Sequence, residues 1–408
     1  MRILFTVHGY KPAYRLGGPI LIVSTLAEKL VNKGHKVIVF ASNSNLEEDL
    51  DVPVNQPVEV DGVEVWYFSR KDFFKRWLPF IPYLSISIGF MYNPLISRQL
   101  DRLLPGIDVV NTHNPFGYST CAAAWAAQRW HKPLFYHQRG VLDPERLRFR
   151  FLKKRLFIDL VARPIMRRAT TLIALTQAEL ENYRALGVET PCRVVPNGIE
   201  AGAYRQHPEP TTALPWKIPP QAHVILFMAR MHPIKGADRL LEAFLQICAS
   251  HPNAFLVMAG PDEWGYGPEF SRKVRQAGVG ERVLFPGMVS GEAKLNLLAR
   301  ADLFCLPSDA EGFSMAVLEA LASATPVLLS PGCHFPEAER AGAGRIVPPT
   351  PLALAEVLTD MLSQPEKLKV MGQRGFELVR DNYSWDHITD QLLEVYQEGL
   401  ARHRAKNS

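Results

Sequence analysis

Short apolar runs alternate with longer segments whose apolar residues recur every three to four positions, and this rhythm runs through nearly all 408 residues. The runs Ile3–Val7, Lys36–Phe40, Val63–Phe68, Val109–Asn111, Leu134–Tyr136, Thr171–Ala174 and Val194-Val195 predict strands. Helical periodicity lies between them, as over Ile20–Val31. Strands alternating with helices imply parallel βαβ units, so the first half reads as one open, doubly wound sheet. The rhythm restarts at Val224–Met228 and continues through Phe255–Met258, Val283–Phe285, Leu303–Leu306 and Pro326–Leu329, which predicts a second such sheet. Between the halves, Glu200–Gln221 holds five prolines and little periodicity, which is how a linker reads. Trp385–Arg402 predicts a terminal helix with Ile388, Leu392, Leu393, Val395 and Tyr396 as its apolar positions.

The expected organisation is therefore α/β with two Rossmann-like domains. Residues 1–200 form the first and 222–384 the second, joined by a linker at 201–221, with a helix at 385–408 that returns to the first domain. A 47% hydrophobic and 21% charged composition reads as globular, and a net charge of +5 does not call for a nucleic-acid partner. Five widely spaced cysteines without a CxxC indicate neither a disulfide framework nor a zinc site, and point to a reducing compartment. The opening run Ile3–Val7 is too short for a signal sequence, and Trp77–Tyr92 carries prolines and falls short of about 20 apolar residues, so neither is expected to span a membrane.

Glu311-Gly-Phe-Ser-Met-Ala-Val-Leu-Glu319 concentrates the candidate chemistry. It follows the apolar run Leu303–Leu306 and opens an amphipathic segment, which sets two carboxylates about a helix start. At about 1.5 Å of rise per residue, Glu319 lies a turn or more beyond Ser314. The unpaired amides of Gly312, Phe313, Ser314 and Met315, with the helix dipole, make such an end an anion site. A ligand with hydroxyls at both ends and phosphates between them has the matching layout, and a nucleotide sugar is one. A second element, Arg230 to Gly236, places Arg230 and Lys235 just after a predicted buried strand, where open α/β sheets bind ligands. Arg provides a planar fork and Lys a point charge for a departing diphosphate. Near the start, Gly17-Gly18 permits a tight turn or close backbone approach. His113 follows the strand at Val109, and His137, Gln138 and Arg139 follow the strand at Leu134.

Taken in order, these stretches resemble the retaining GT-B glycosyltransferases, in particular glycosyltransferase family 4. The family hallmark is an acidic residue and, eight positions on, a glutamate, within EGF-x-x-x-x-x-EA. The match is Glu311-Gly-Phe313 through Glu319-Ala320, supported by Gly17-Gly18, His113, Pro196-Asn197-Gly198, Arg230 with Lys235, and Tyr383-Ser-Trp385. Ala229 stands where many members have glycine, and Asn111 where many have the first histidine of His-x-His. The resemblance implies a hexosyltransferase (EC 2.4) that moves a sugar from a UDP-, GDP- or ADP-sugar to a hydroxyl of a saccharide or lipid-linked acceptor, with retention, in polysaccharide or glycolipid synthesis. It implies His113, Arg230, Lys235 and Glu311 as the candidate catalytic residues, with Glu311 on the donor sugar. Gly17, Gly18, Val289, Gly312, Phe313, Ser314, Met315 and Glu319 would hold the donor, Glu319 at its ribose. His137 and Arg139 are candidates for the acceptor side.

No cofactor and no essential metal are expected. Asp49-Leu-Asp51 matches a metal motif of the other large glycosyltransferase fold, yet it sits in an acidic loop, and the histidines show no ligand spacing. Two further classes share such a cleft or its lobes: a sugar-nucleotide epimerase or phosphorylase, which needs no acceptor, and a non-enzymatic sugar-binding protein. Nine cations within Arg146–Arg168, interleaved with aromatic and aliphatic residues, form a basic surface together with Phe73–Trp77. Such a surface suits an anionic membrane or an anionic lipid-linked acceptor better than nucleic acid, for which no recognition module is present. A cytoplasmic enzyme in peripheral contact with the inner membrane face is the corresponding expectation.

Overall fold

The computed structural model describes residues 1–45, 48–69, 93–114, 116–147, 151–205 and 216–407. The expected Phe73–Trp77 basic patch and the Trp77–Tyr92 run lie outside them. The chain divides into two units, Met1–Gly198 with Trp385–Ser408, and Ile199–Ser384.

The first unit is built on an eight-stranded sheet. Its order is Cys192–Val194, Thr171–Ala174, Leu134–His137, Val109–His113, Arg2–Thr6, Lys36–Ser42, Val63–Phe68, Pro57–Val60. Every pair is parallel except the last, in which Pro57–Val60 runs antiparallel to Val63–Phe68. The central strands are near-continuous apolar runs because helices cover both faces of a parallel sheet, and Ile3, Leu4, Phe5, Val109 and Val110 are fully buried. Each buried aliphatic side chain stabilises the fold by about 1.5–3 kcal/mol relative to its exposed state. The helix Trp385–Asn407 belongs to this unit, with Tyr396 set edge-on against Phe135 at 4.8 Å and accepting a 2.5 Å hydrogen bond from Asn111 Nδ2.

The second unit holds a six-stranded, wholly parallel sheet. Its order is Val283–Gly287, Ala254–Ala259, His223–Met228, Leu303–Leu306, Val327–Leu329, Gly344–Ile346. Together the two sheets make the α/β, double-Rossmann architecture expected from the alternating pattern.

Four described strands escape the pattern, among them the short antiparallel pair Ser44–Asn45 and Glu48–Asp49, which places Asp49 in a strand rather than the expected acidic loop. Pro57–Val60 is a half-exposed edge strand with a polar alternation, and Gly344–Ile346 is only three residues long. The expected linker at 201–221 is corrected: the chain passes between units at Gly198–Ile199, and Ala201–Arg205 is a short helix of the second unit. Ala201 and Tyr204 pack into the second core, while residues 206–215, with three of the five prolines of the expected linker, lie outside the described residues.

In both sheets the order reverses beside the first strand of the unit. Arg2–Thr6 lies between Lys36–Ser42 and Val109–His113, and His223–Met228 between Ala254–Ala259 and Leu303–Leu306. At such a switch point the loops leaving the carboxyl ends of adjacent strands diverge to opposite faces and open a crevice. Those loops carry Gly17 and the residues after His113 in the first unit, and Arg230, Lys235 and Glu311 in the second.

Candidate active site

In the second unit, the strand His223–Met228 runs into a loop that stays tied to its neighbour: Ala229 donates its amide to the Ala259 carbonyl at 3.0 Å, and Met231 to Pro261 at 2.9 Å. Gly260, at φ +142°, permits this approach, since a Cβ there would stand 1.8 Å from the Ala229 carbonyl oxygen. His232 then caps the turn Pro233–Lys235 by accepting the Ile234 amide on Nδ1 at 3.2 Å. Gly236 follows in the left-handed region and opens the helix Ala237–Ile247.

The turn aims Lys235 inward. The side chain is only 10% exposed, and Nζ donates to Glu311 Oε1 at 2.5 Å. Glu311 arrives from the adjacent strand Leu303–Leu306, and its loop is stitched to the lysine turn: Ser308 Oγ and the Asp309 amide both donate to the Ile234 carbonyl at 2.8 Å. Glu311 in turn donates its own amide to Gly332 at 2.8 Å, and Arg239 forks onto Asp309 at 2.6 and 2.9 Å. A charge-assisted pair this deep is held by both loops at once. Arg230 differs. Its Nη1 meets Glu263 at 2.8 Å, but the two side chains are 57% and 39% exposed, and a pair so wetted is worth about 0–1 kcal/mol. A phosphate can therefore draw that guanidinium away at little cost.

Beyond Glu311, buried Gly312 leads to Ser314, which has extended backbone and makes no side-chain cap at the head of the helix Met315–Ala322. The first-turn amides of a helix have no intrahelical acceptor, so this end presents donors and a positive dipole a few residues beyond Glu311, the partner of Lys235. Phe313 is turned into packing with Phe335 and Tyr383 at 5.9 and 6.0 Å. Val289 packs against the second core, next to Met288, which is 77% exposed, and Gly287, at φ +72°.

Glu319, in the second turn, has two partners that sequence reasoning missed. Its Oε1 accepts from Lys294 Nζ at 2.9 Å and from the Tyr204 hydroxyl at 3.2 Å. Lys294 also stands 5.9 Å from the Tyr204 ring centroid. Burial, then the neighbouring Glu319 carboxylate, push the Tyr204 phenol well up, so it stays a neutral donor. Tyr204 lay in the stretch read as a linker, and no local spacing connects either residue with Glu319.

In the first unit, Gly17 has φ +87°, a backbone that side chains rarely adopt, and Gly18 begins the helix Gly18–Asn32; both are exposed. His113 and His137 end adjacent parallel strands and pair in register, their rings 4.7 Å apart. Both are buried rather than at an open rim. Arg139, at φ +54°, bends back so that Nε donates to His113 Nδ1 at 3.0 Å and Nη1 to Asn197 Oδ1 at 3.2 Å. Gln138 is committed internally, donating to the Glu179 carbonyl and accepting the Leu142 amide.

Burial holds both histidines well below the usual imidazole range, and Arg139 lowers each further. A histidine kept neutral by folding binds fewer protons in the native than in the unfolded chain. Stability is then fully present above the unfolded value near 6.5 and falls as pH drops below it, by about 1.4 kcal/mol per pH unit per histidine until the native value is reached. Urea unfolding is expected to show this loss between about pH 6.5 and 5, and His137→Gln to flatten it; a profile as steep in the variant as in the parent would overturn the assignment of that proton to His137.

Among the described residues, no group of three or more His, Cys, Asp or Glu side chains is arranged to hold a metal ion, and no helix is long and apolar enough to cross a membrane.

Residues 17–198 match the model of a glycosyl transferase 4-like domain, and residues 212–378 that of glycosyl transferases group 1. The fold is shared with Anabaena HepE, solved with UDP and glucose, at a TM-score of 0.73 and 19% identity, covering 98% of this chain and 100% of that one. It is shared equally with a sucrose-phosphate synthase from Thermosynechococcus elongatus, at a TM-score of 0.73 and 20% identity, covering 98% and 100%. Two Rossmann-like units so matched define the GT-B class of folds. Similar proteins include a D-inositol 3-phosphate glycosyltransferase of Segniliparus rotundus, 26% identical over 56% of this chain and 52% of that protein. Another is the MMP alpha-(1→4)-mannosyltransferase of Mycolicibacterium hassiacum, 26% identical over 96% of this chain and 97% of that one. The chain is a glycosyltransferase of the GT-B fold.

Proposed function

We propose that this glycosyltransferase moves a sugar, with retention, from a nucleotide-sugar donor to a hydroxyl of a saccharide or lipid-linked acceptor, and that Glu311 to Glu319 is the donor motif of family 4. The observation that carries the reading is the buried Lys235–Glu311 pair at 2.5 Å beside the head of the helix Met315–Ala322, with the Lys294-bound Glu319 one turn further in. Phosphate charge meets Lys235, the re-aimed Arg230 and the amides of Gly312 to Met315, where fixed donors stabilise a leaving diphosphate. Glu311 then faces donor-sugar hydroxyls and Glu319 the ribose. Gly17 and Gly18 offer exposed backbone to the donor, and His113 a contact to a sugar hydroxyl. The reading assigns the leaving-group charge to side chains and amides, with no essential metal and no cofactor.

The names of the relatives, a glycosyltransferase of D-inositol 3-phosphate and a mannosyltransferase, favour a small phosphorylated or saccharide acceptor. For the basic segment, the described side chains temper the charge: Asp159 pairs with both Arg155 and Arg163, at 2.8 and 2.7 Å. Leu156 and Leu160 are nevertheless 61% and 67% exposed among these cations, which supports peripheral contact with an anionic membrane surface or lipid-linked acceptor.

The deciding experiment screens UDP-, GDP- and ADP-sugars in EDTA for thermal stabilisation, then assays transfer with the best donor. One nucleotide class should raise the melting temperature, and Glu319→Ala should weaken that nucleotide about 10-fold or more through loss of a charge-assisted hydrogen bond of about 1.5–3 kcal/mol. Product formed from the donor without any acceptor would point instead to an epimerase, and unchanged nucleotide affinity in Glu319→Ala would remove the ribose contact.

A further inference from the structure

His113 and His137, buried at adjacent strand ends, and the partly buried Arg139 two residues beyond form a polar cluster whose hydrogen bonds do not close. Arg139 Nε donates to His113 Nδ1, while His113 Nε2 and both ring nitrogens of His137 are buried without a partner among the described residues. A guanidinium N–H can only donate, so His113 Nδ1 must present its lone pair. The ring proton of the neutral imidazole then sits on Nε2. Phe5 stands edge-on to the His113 ring at 4.9 Å and His137 lies 4.7 Å away, so packing holds the ring plane as well as the tautomer.

Arg139 is itself fixed by unusual means. Its backbone is left-handed at φ +54°, a conformation a long side chain adopts only when its surroundings hold it there. Asn197 Oδ1 accepts its Nη1, so Pro196-Asn197-Gly198 reaches the histidine through the arginine. The charged and titratable groups facing the cluster are Arg139 and His137 from the strand-end segment 137–139, with Glu179 and Tyr396 acting on Arg139 from the helices Gln177–Ala185 and Trp385–Asn407. No carboxylate accepts a hydrogen bond from His113 itself among the described residues.

We propose that Arg139 is a positioning residue that locks His113 as a neutral Nε2–H donor, and that the open donor so created is filled by an oxygen of the sugar undergoing transfer. Arg139 thus works one step removed from the ligand, in place of the direct acceptor contact that its position suggests. This inference rests on the reading of His113 as a sugar-hydroxyl contact. A hydroxyl or ring oxygen is the chemistry an N–H donor between buried aromatic rings selects, whereas a cation is disfavoured by the guanidinium on the far side of the ring.

The test is nitrogen-15 NMR of the full chain labelled at histidine. In the parent, His113 should show the Nε2–H tautomer without titrating between about pH 5.5 and 8. Arg139→Lys removes the planar Nε donor while keeping a cation; the tautomers should then mix, and kcat should fall about 10-fold or more at unchanged melting temperature. In a His113→Gln background, whose amide needs no tautomer, Arg139→Lys should add no further loss. The Nδ1–H tautomer in the parent, or an unmoved His113 signal in Arg139→Lys, would overturn the proposal. Should Arg139 variants fail to fold, the parent spectrum alone still decides the tautomer. Full transfer by His113→Ala with the tautomer as stated would overturn only the sugar contact, and leave the arginine's role in place.

Discussion

Glu311→Ala is expected to lower the free energy of unfolding by about 3–5 kcal/mol as well as to abolish transfer, because it strands the Lys235 ammonium in a site where the side chain is 10% exposed. Attraction at 2.5 Å offsets the desolvation of both charges only while both are present. Removing the carboxylate leaves the cation to draw in water or pull the turn Pro233–Lys235 apart. Lys235→Met with Glu311→Leu should therefore lose less stability than Glu311→Ala alone, while lacking transfer equally. Lys235→Ala by itself is expected to reduce kcat by about 10²–10³-fold, the usual loss of one fixed donor to a developing anion. Urea unfolding of the four proteins measures the coupling, and a Glu311→Ala chain within about 1 kcal/mol of the parent would show that the pair is solvated rather than buried.

Gly236→Ala is expected to damage the same site through the backbone. The residue has φ +70°, and a Cβ there would stand 2.3 Å from the Pro307 carbonyl oxygen. The left-handed conformation costs an alanine about 1–2 kcal/mol. The contact adds a displacement, because a carbonyl in the strand-to-loop turn cannot swing aside as a side chain can. Pro307 leads directly into Ser308 and Asp309, which hold the Ile234 carbonyl, so the movement separates the loops of Lys235 and Glu311. A shift of about 1 Å between catalytic groups lowers turnover by roughly 10²-fold. Steady-state kinetics should show that fall mainly in kcat; native kcat with native stability would mean that the turn absorbs the methyl group.

How much of this was legible varies along the chain. Strong apolar runs such as Val224–Met228 and Leu303–Leu306 announced themselves, since a strand buried on both faces must be apolar at every position. Pro57–Val60 did not, because an antiparallel edge strand in solvent needs no such run. Lys235 and Glu311 were each visible as a polar residue closing a buried strand, but their pairing across 76 positions was not. Lys294 and Tyr204 were missed for the same reason: they reach Glu319 from 25 and 115 positions away.

The amino-acid sequence by itself determined the alternation of strands and helices, hence two parallel sheets, and the order of polar residues at strand ends, because both follow from local periodicity and steric freedom. Only the tertiary structure decided which strand ends lie side by side. Sheet order brings His113 beside His137, and the loop of Lys235 beside that of Glu311. It also decided which charges are buried, and burial rather than residue type separates the tightly held Lys235 from the loosely paired Arg230. A hydrogen bond or an ion pair is a property of distance and dielectric, and a sequence specifies neither until the chain has closed on itself.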